Sequence, residues 1–144
     1  MGYQSPQYLL VDTNIVQFIN SEPKDRSDKL GQLILAKETQ GLIRAISTVT
    51  IYEAIQNCDQ IKESKVIKSL EDFAQLEVSK TTLQIAGWFS DLYRMENISD
   101  SQISTCDKII ASSAFLMGSK ILTADANDFP RPFCNEVFKE NIIY

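Results

Sequence analysis

The sequence predicts an α/β fold with a parallel sheet covered by helices on both faces. Three observations predict it. Short apolar runs that suit buried strands alternate with longer stretches whose apolar residues recur at helical spacing. No tight hairpin signal joins two of these runs, so the strands are expected to be linked by helical crossovers. The 144 residues are 44% hydrophobic, with no repeat, linker or low-complexity stretch, so one domain over residues 1–144 is expected to bury one core without staples.

Taken in order, Tyr8 to Val11 is a short apolar run that ends at a polar cluster and reads as a strand. Ile15 to Ile19 reads as a short helix, stopped by Asn20-Ser21-Glu22-Pro23. Leu30, Leu33, Ile34 and Lys37 give the spacing of a helix over Lys29 to Lys37, which Gly41 closes. Leu42 to Ser47 is a second strand. Thr50-Ile51-Tyr52-Glu53 has the form of a capping box opening a helix to about Asn57, and a charged helix follows from Lys65 to Phe73. Leu76 to Val78 suits a short strand, and Thr81 to Met95 suits a helix. Ser104-Thr105-Cys106-Asp107 opens another helix that runs to Gly118. Lys120 to Thr123 is a strand, and the tail from Phe138 to Tyr144 is expected to supply the last.

Composition excludes several chemistries. The chain has no histidine, which rules out a Ser-His-Asp triad, a Cys-His pair and a zinc site of His ligands. Cys58, Cys106 and Cys134 are too few and too scattered for a disulfide framework, and fit a reducing cytoplasm. Neither a signal peptide nor a run of roughly 20 apolar residues is present, so no membrane association is expected. The net charge of −5 argues against broad nonspecific binding of nucleic acid, but not against an enzyme whose acids are neutralised by metal.

Four acids stand at the heads of expected helices: Asp12, Glu53, Asp107 and Asp125. Each has a structural explanation. Asp12 and Asp125 suit N-caps, Glu53 suits the third position after Thr50, and Asp107 complements a helix dipole. Yet Asp12 follows the first strand, Glu53 the second and Asp125 the strand ending at Thr123, and sites in open α/β sheets form beyond the carboxyl ends of strands. Gathered in one cleft, four carboxylates would repel one another unless a divalent cation sat among them.

The phrases around the acids carry more than a cap requires. Leu10-Val11-Asp12-Thr13-Asn14, Ser47-Thr48-Val49-Thr50-Ile51-Tyr52-Glu53, and Asp107-Lys108-Ile109-Ile110-Ala111 through Thr123-Ala124-Asp125-Ala126-Asn127-Asp128-Phe129 resemble, in that order, the PIN domain family. The resemblance is closest to VapC-type toxin ribonucleases and covers nearly the whole chain. It implies a PIN-like three-layer α/β/α sandwich with a central parallel sheet of about five strands. It also implies an Mg²⁺-dependent endoribonuclease, with Mn²⁺ able to substitute, acting as the toxin of a type II toxin–antitoxin pair.

By the same resemblance, Asp12, Glu53, Asp107 and Asp125 are the catalytic and metal-binding acids, with Asn14 and Thr123 in support. Asp128 is an outer contributor. Ala124 and Lys108 depart from the family's usual residues without removing a ligand. RNA substrate, an antitoxin protein and a homodimer are the implied partners. Mg²⁺ takes oxygen ligands and is held directly by only one or two carboxylates, so Asp12 and Asp107 are the expected ligands, and Glu53 and Asp125 are expected to hold water, orient attack or bind a second ion. The alternative is a catalytically silent PIN-like module that binds RNA or protein. A phosphatase using Asp12 as nucleophile fits less well, because Asn14 stands where its second aspartate belongs.

Trp88, Phe89, Tyr93 and Met95 read as core or a dimer face rather than a base-stacking platform. Lys62, Lys65 and Lys68 read as a solvated helix face.

Overall fold

The computed structural model describes residues 7–20, 24–56, 58–99, 102–129 and 136–137. Among these residues the elements are β1 (Gln7–Val11), α1 (Thr13–Ile19), α2 (Lys24–Thr39), β2 (Leu42–Ser47), α3 (Thr48–Ile55), α4 (Gln60–Leu70), β3 (Ala74–Leu76), α5 (Lys80–Met95), α6 (Thr105–Met117), β4 (Lys120–Thr123), a 3₁₀ turn (Ala126–Asp128) and β5 (Glu136–Val137). The strands form one sheet in the order β3-β2-β1-β4-β5, and each neighbouring pair is parallel.

Alternation along the strands builds three layers, because successive side chains of a strand point to opposite faces. Leu9, Val11, Leu42, Ile46 and Leu122 face one way, onto α1, α2, α3 and α4 through Ile15, Val16, Leu30, Ile34, Ala54, Val66 and Leu70. Leu10, Ala45 and Ile121 face the other way, onto α5 and α6 through Ile85, Phe89, Tyr93, Ile110 and Ala114. This is the expected PIN-like sandwich. Its chain runs outward from β1 to β3, then returns to place β4 on the other side of β1. The carboxyl ends of β1 and β4 therefore flank the point where strand order reverses, the usual place for a ligand crevice.

Several boundaries differ from those the sequence predicts. Helix α2 begins at Lys24 and α4 at Gln60, each earlier than expected; α4 is capped by the Asp59 side chain, which accepts from Lys62 N–H at 2.8 Å. Helix α3 starts straight off β2, with Ser47 as its cap, rather than at Thr50. Thr50 is instead fully buried, and its hydroxyl has no partner among the described residues. Strand β3 ends at Leu76 because its partner β2 ends at Ser47; Val78 N–H is held by the Thr48 hydroxyl at 3.2 Å. The last strand is Glu136–Val137, while 138–144, Cys134 and the Ser21-Glu22-Pro23 stop lie outside the described residues. Gly118 closes α6 at φ 59, a backbone conformation that glycine adopts without strain.

Phe89 and Tyr93 are core residues, as expected, whereas Trp88 and Met95 are exposed on α5. Cys58 and Cys106 are free thiols. Among the described residues no helix is long and apolar enough to cross a membrane.

Candidate metal centre

Asp12 stands at the mouth between β1 and β4. Its N–H continues the ladder to Leu122 O at 2.9 Å, which fixes the backbone beneath the carboxylate. One carboxylate oxygen, Oδ1, accepts from Thr13 N–H at 2.7 Å and so caps α1. The other, Oδ2, accepts from the Thr123 hydroxyl at 2.8 Å. Thr123 is braced in turn: its oxygen accepts from Asp125 N–H at 3.1 Å and from the Asn14 amide at 3.4 Å. Asn14 Oδ1 accepts from Ala124 N–H at 3.1 Å, which sets the amide's orientation. The cap reading of Asp12 is thus correct and incomplete, since the same carboxylate also lines the cleft.

Two further acids arrive from helices. Ser104 caps α6 by accepting from Asp107 N–H at 3.1 Å, and Asp107 sits in the first turn above the sheet edge. Glu53 projects from α3, where its Oε1 accepts from the Thr13 hydroxyl at 2.6 Å. Glu53 is therefore not the capping partner of Thr50. Its bond to Thr13 spans 40 residues and ties α3 to α1 at the cleft.

The fourth expected acid is placed differently. Asp125 folds back onto its own turn, with its Oδ1 accepting from Asn127 N–H at 2.9 Å, and it does not line the cleft. Asp128 lines it instead. Carboxylate oxygens of Asp12, Asp107 and Asp128 all lie within 4.8 Å of one another. The sequence held a signal for this: Asp128 precedes Phe129, which is fully buried in the layer under α5 and α6 and anchors the turn. Asp125-Ala126-Asn127 meanwhile has the form of an Asp side chain capping the backbone two residues on.

Asp12, Thr13, Asn14, Gln17, Glu53, Asp107 and Asp128 line an open cleft of about 200 Å³. No lysine or arginine is among these lining residues. Lys108 is buried next to Asp107 in sequence, and Arg94 pairs with Asp91.

The electrostatic consequence is large. Burial pushes Asp12 up to about 7, Asp128 and Glu53 push the same way, and the bonds from Thr123 and Thr13 oppose the shift. Asp107 is pushed up to about 7 by burial, then by the charges of Asp12, Asp128 and Glu53, against its bond with Ser104. Burial raises Asp128 to about 6, helped by Asp125 and Glu53. Burial and the neighbouring Glu53 and Asp107 also raise the Cys106 thiol, which disfavours a reactive thiolate.

Crowded, buried carboxylates of this kind suit a hard cation. The donors are all oxygens, and both the desolvation and the mutual repulsion are relieved by a divalent charge, so the residues fit Mg²⁺ or Mn²⁺. Thr123→Val, which keeps the shape and removes the hydroxyl that orients Asp12, is expected to weaken Mn²⁺ affinity about 10–100-fold. Calorimetric titration of the variant beside wild type checks this.

No protein-family model matches the sequence, and no curated protein matches it. Solved structures do match in fold. A chain of VapBC2 from Rickettsia felis, bound to a DNA fragment from its promoter, aligns with TM-score 0.69 at 18% identity over 89% of this chain and 96% of that one. A toxin-antitoxin complex from Klebsiella pneumoniae aligns with TM-score 0.66 at 21% identity, covering 90% and 99%. FitAcB from Neisseria gonorrhoeae aligns with TM-score 0.62 at 19% identity, covering 84% and 90%. The chain has the PIN-like fold that its sequence phrases imply, shared with chains of these solved structures.

Proposed function

We propose that the chain is a divalent-metal-dependent endoribonuclease and the toxin of a type II toxin–antitoxin pair. The observation that carries this reading is the convergence of Asp12, Asp107 and Asp128, on three separate segments, at the reversal point of a parallel sheet. The toxin–antitoxin neighbours support an antitoxin as partner.

Asp12, Asp107 and Asp128 would hold Mg²⁺, with Mn²⁺ as substitute. When bound, the ion supplies positive charge to the phosphate and acidity to water. The rest falls to the chain's own groups. Thr123 and Thr13 N–H fix both oxygens of Asp12, so its carboxylate needs little reorganisation when charge develops. Glu53 accepts from the Thr13 hydroxyl through Oε1, is hydrogen-bonded to the Cys106 thiol, and lines the cleft. The chain has no histidine to take the proton of the attacking water, and Glu53, which lines the cleft, is the carboxylate we assign to that role. Asp125 supports from behind, capping the turn that presents Asp128.

A cytoplasmic location, one domain over 1–144 and a homodimer belong to the same proposal. The exposed Trp88, Leu92 and Met95 of α5 support the dimer as a surface that water covers poorly.

The test is purified chain incubated with mixed RNA in Mn²⁺ or in EDTA, beside Asp107→Asn. Internal cuts that need Mn²⁺ and vanish in the variant are the expected result. RNA retained intact would favour a catalytically silent binding module. RNA neither cut nor retained would remove both readings.

A further inference from the structure

Beside the acidic cleft lies a second cavity of about 480 Å³, lined by Ile98, Gln102, Ile103, Ala126 and Asn127. Its walls come from the two segments that carry two of the clustered acids. Asn127 directly precedes Asp128, and Gln102–Ile103 lead into Ser104, the cap of the helix bearing Asp107. At about 3.8 Å between consecutive Cα atoms, the short chain lengths keep this cavity next to the acidic centre.

The chemistry of the two cavities is opposite. The second has no charged residue in its lining. Ile103 is 2% exposed and belongs to the layer under α5 and α6, with Ile98 packed against that layer, so one wall is apolar and anchored. The polar groups are two side-chain amides. Gln102 Oε1 accepts from Ser99 N–H at 2.7 Å, which fixes that amide and leaves its NH₂ to donate. Among the described residues the side-chain amide of Asn127 has no partner, so it can turn to accept or donate.

A neutral cavity of this size suits a flat, uncharged group that hydrogen-bonds along its edge. Beside a site for a phosphodiester, that group is a nucleobase. The geometry points to this cavity as the subsite for the RNA base next to the scissile phosphate, with preference for uracil or guanine. The inference rests on the ribonuclease reading above and names a determinant of its specificity. Uracil and guanine share a ring carbonyl beside a ring N–H. The carbonyl meets the fixed NH₂ of Gln102, and the N–H meets Asn127 Oδ1. Cytosine and adenine present an amino group where the carbonyl would be, opposite the NH₂ that the Ser99 N–H bond turns outward.

The test has two arms. In the first, uncharged nucleosides are titrated into the metal-free protein while NMR follows the Ile98 and Ile103 methyl groups. Uridine and guanosine are expected to shift them with about tenfold higher affinity than cytidine or adenosine, the worth of one hydrogen bond. Gln102→Glu retains the acceptor for Ser99 N–H and removes the donor, and it is expected to erase that difference. In the second arm, cleavage sites are mapped on mixed-sequence RNA with Mn²⁺. Wild type is expected to favour U or G at one fixed position beside the cut, and Gln102→Glu to lose the preference. Unmoved methyl groups together with a cleavage profile that Gln102→Glu leaves unchanged would overturn the subsite while the nuclease reading stands. Methyl shifts in a wild-type chain that never cuts RNA would support base binding and overturn the nuclease reading.

Discussion

Asp12→Asn is expected to abolish Mn²⁺-dependent RNA cleavage while making the metal-free protein more stable. The loss should be at least about 100-fold, the size seen when one preorganised group is removed from an electrostatic site. The gain in stability has a separate origin. Asp12 is 2% exposed and held at about 7 mainly by burial, so near neutral pH the folded state carries a carboxylate that ionises at a cost. Asparagine removes that cost and keeps the local bonding. Its Oδ1 can still accept from Thr13 N–H, and its NH₂ can donate to Thr123, whose hydroxyl has Asp125 O at 3.3 Å as an alternative acceptor. Thermal unfolding in EDTA and a gel-based cleavage assay check the two halves. A variant that cuts RNA as wild type does would remove Asp12 from the reaction.

Metal-free protein is expected to lose stability as pH rises from about 4 to about 7. In the unfolded chain these aspartates release their protons near 3.8, whereas in the fold Asp12 and Asp107 keep theirs to about 7 and Asp128 to about 6. The folded state thus binds more protons across that window, and the free energy of unfolding falls with rising pH. The stabilising contribution is full below the unfolded value and gone above the folded one. For Asp12 alone, buried as it is, the effect is on the order of 4 kcal/mol, a large part of the roughly 5–15 kcal/mol that holds a domain together. Asp107 and Asp128 add in the same direction. Mn²⁺ is expected to reverse the loss above pH 7, because a ligand of the folded state stabilises it. Urea unfolding from pH 4 to 8, with EDTA or Mn²⁺, checks both slopes; a metal-free protein most stable at pH 8 would contradict the buried, crowded carboxylates.

The sheet and two-thirds of the acidic trio were legible in the sequence for a common physical reason. Leu9, Leu10 and Val11 are all apolar because a central parallel strand is buried on both faces, and that run ends at Asp12 because the sheet edge meets the cleft there. Asp107 was legible because Ser104 marks the helix start, and a helix start at that edge aims its first turn at the cleft. Asp128 was less so. Two acids three residues apart share one short turn, and which one folds back depends on the anchoring of Phe129, a tertiary contact. The α3 boundary was hidden similarly. Ser47 and Thr50 are both good caps, and pairing of Ser47 with Leu76 at the end of β2 decides between them. Helix α2 begins more than a turn before its periodic apolar residues, in the polar run Lys24-Asp25-Arg26-Ser27-Asp28, where periodicity says nothing.

The most direct measurement of the central claim is calorimetric titration of Mn²⁺ into wild type, Asp107→Asn, Asp128→Asn and Asp125→Asn at pH 7.5. Wild type should bind, Asp107→Asn and Asp128→Asn should each lose most of that affinity, and Asp125→Asn should retain it. Binding that survives Asp107→Asn and Asp128→Asn but disappears with Asp125→Asn would contradict a metal centre built from Asp12, Asp107 and Asp128.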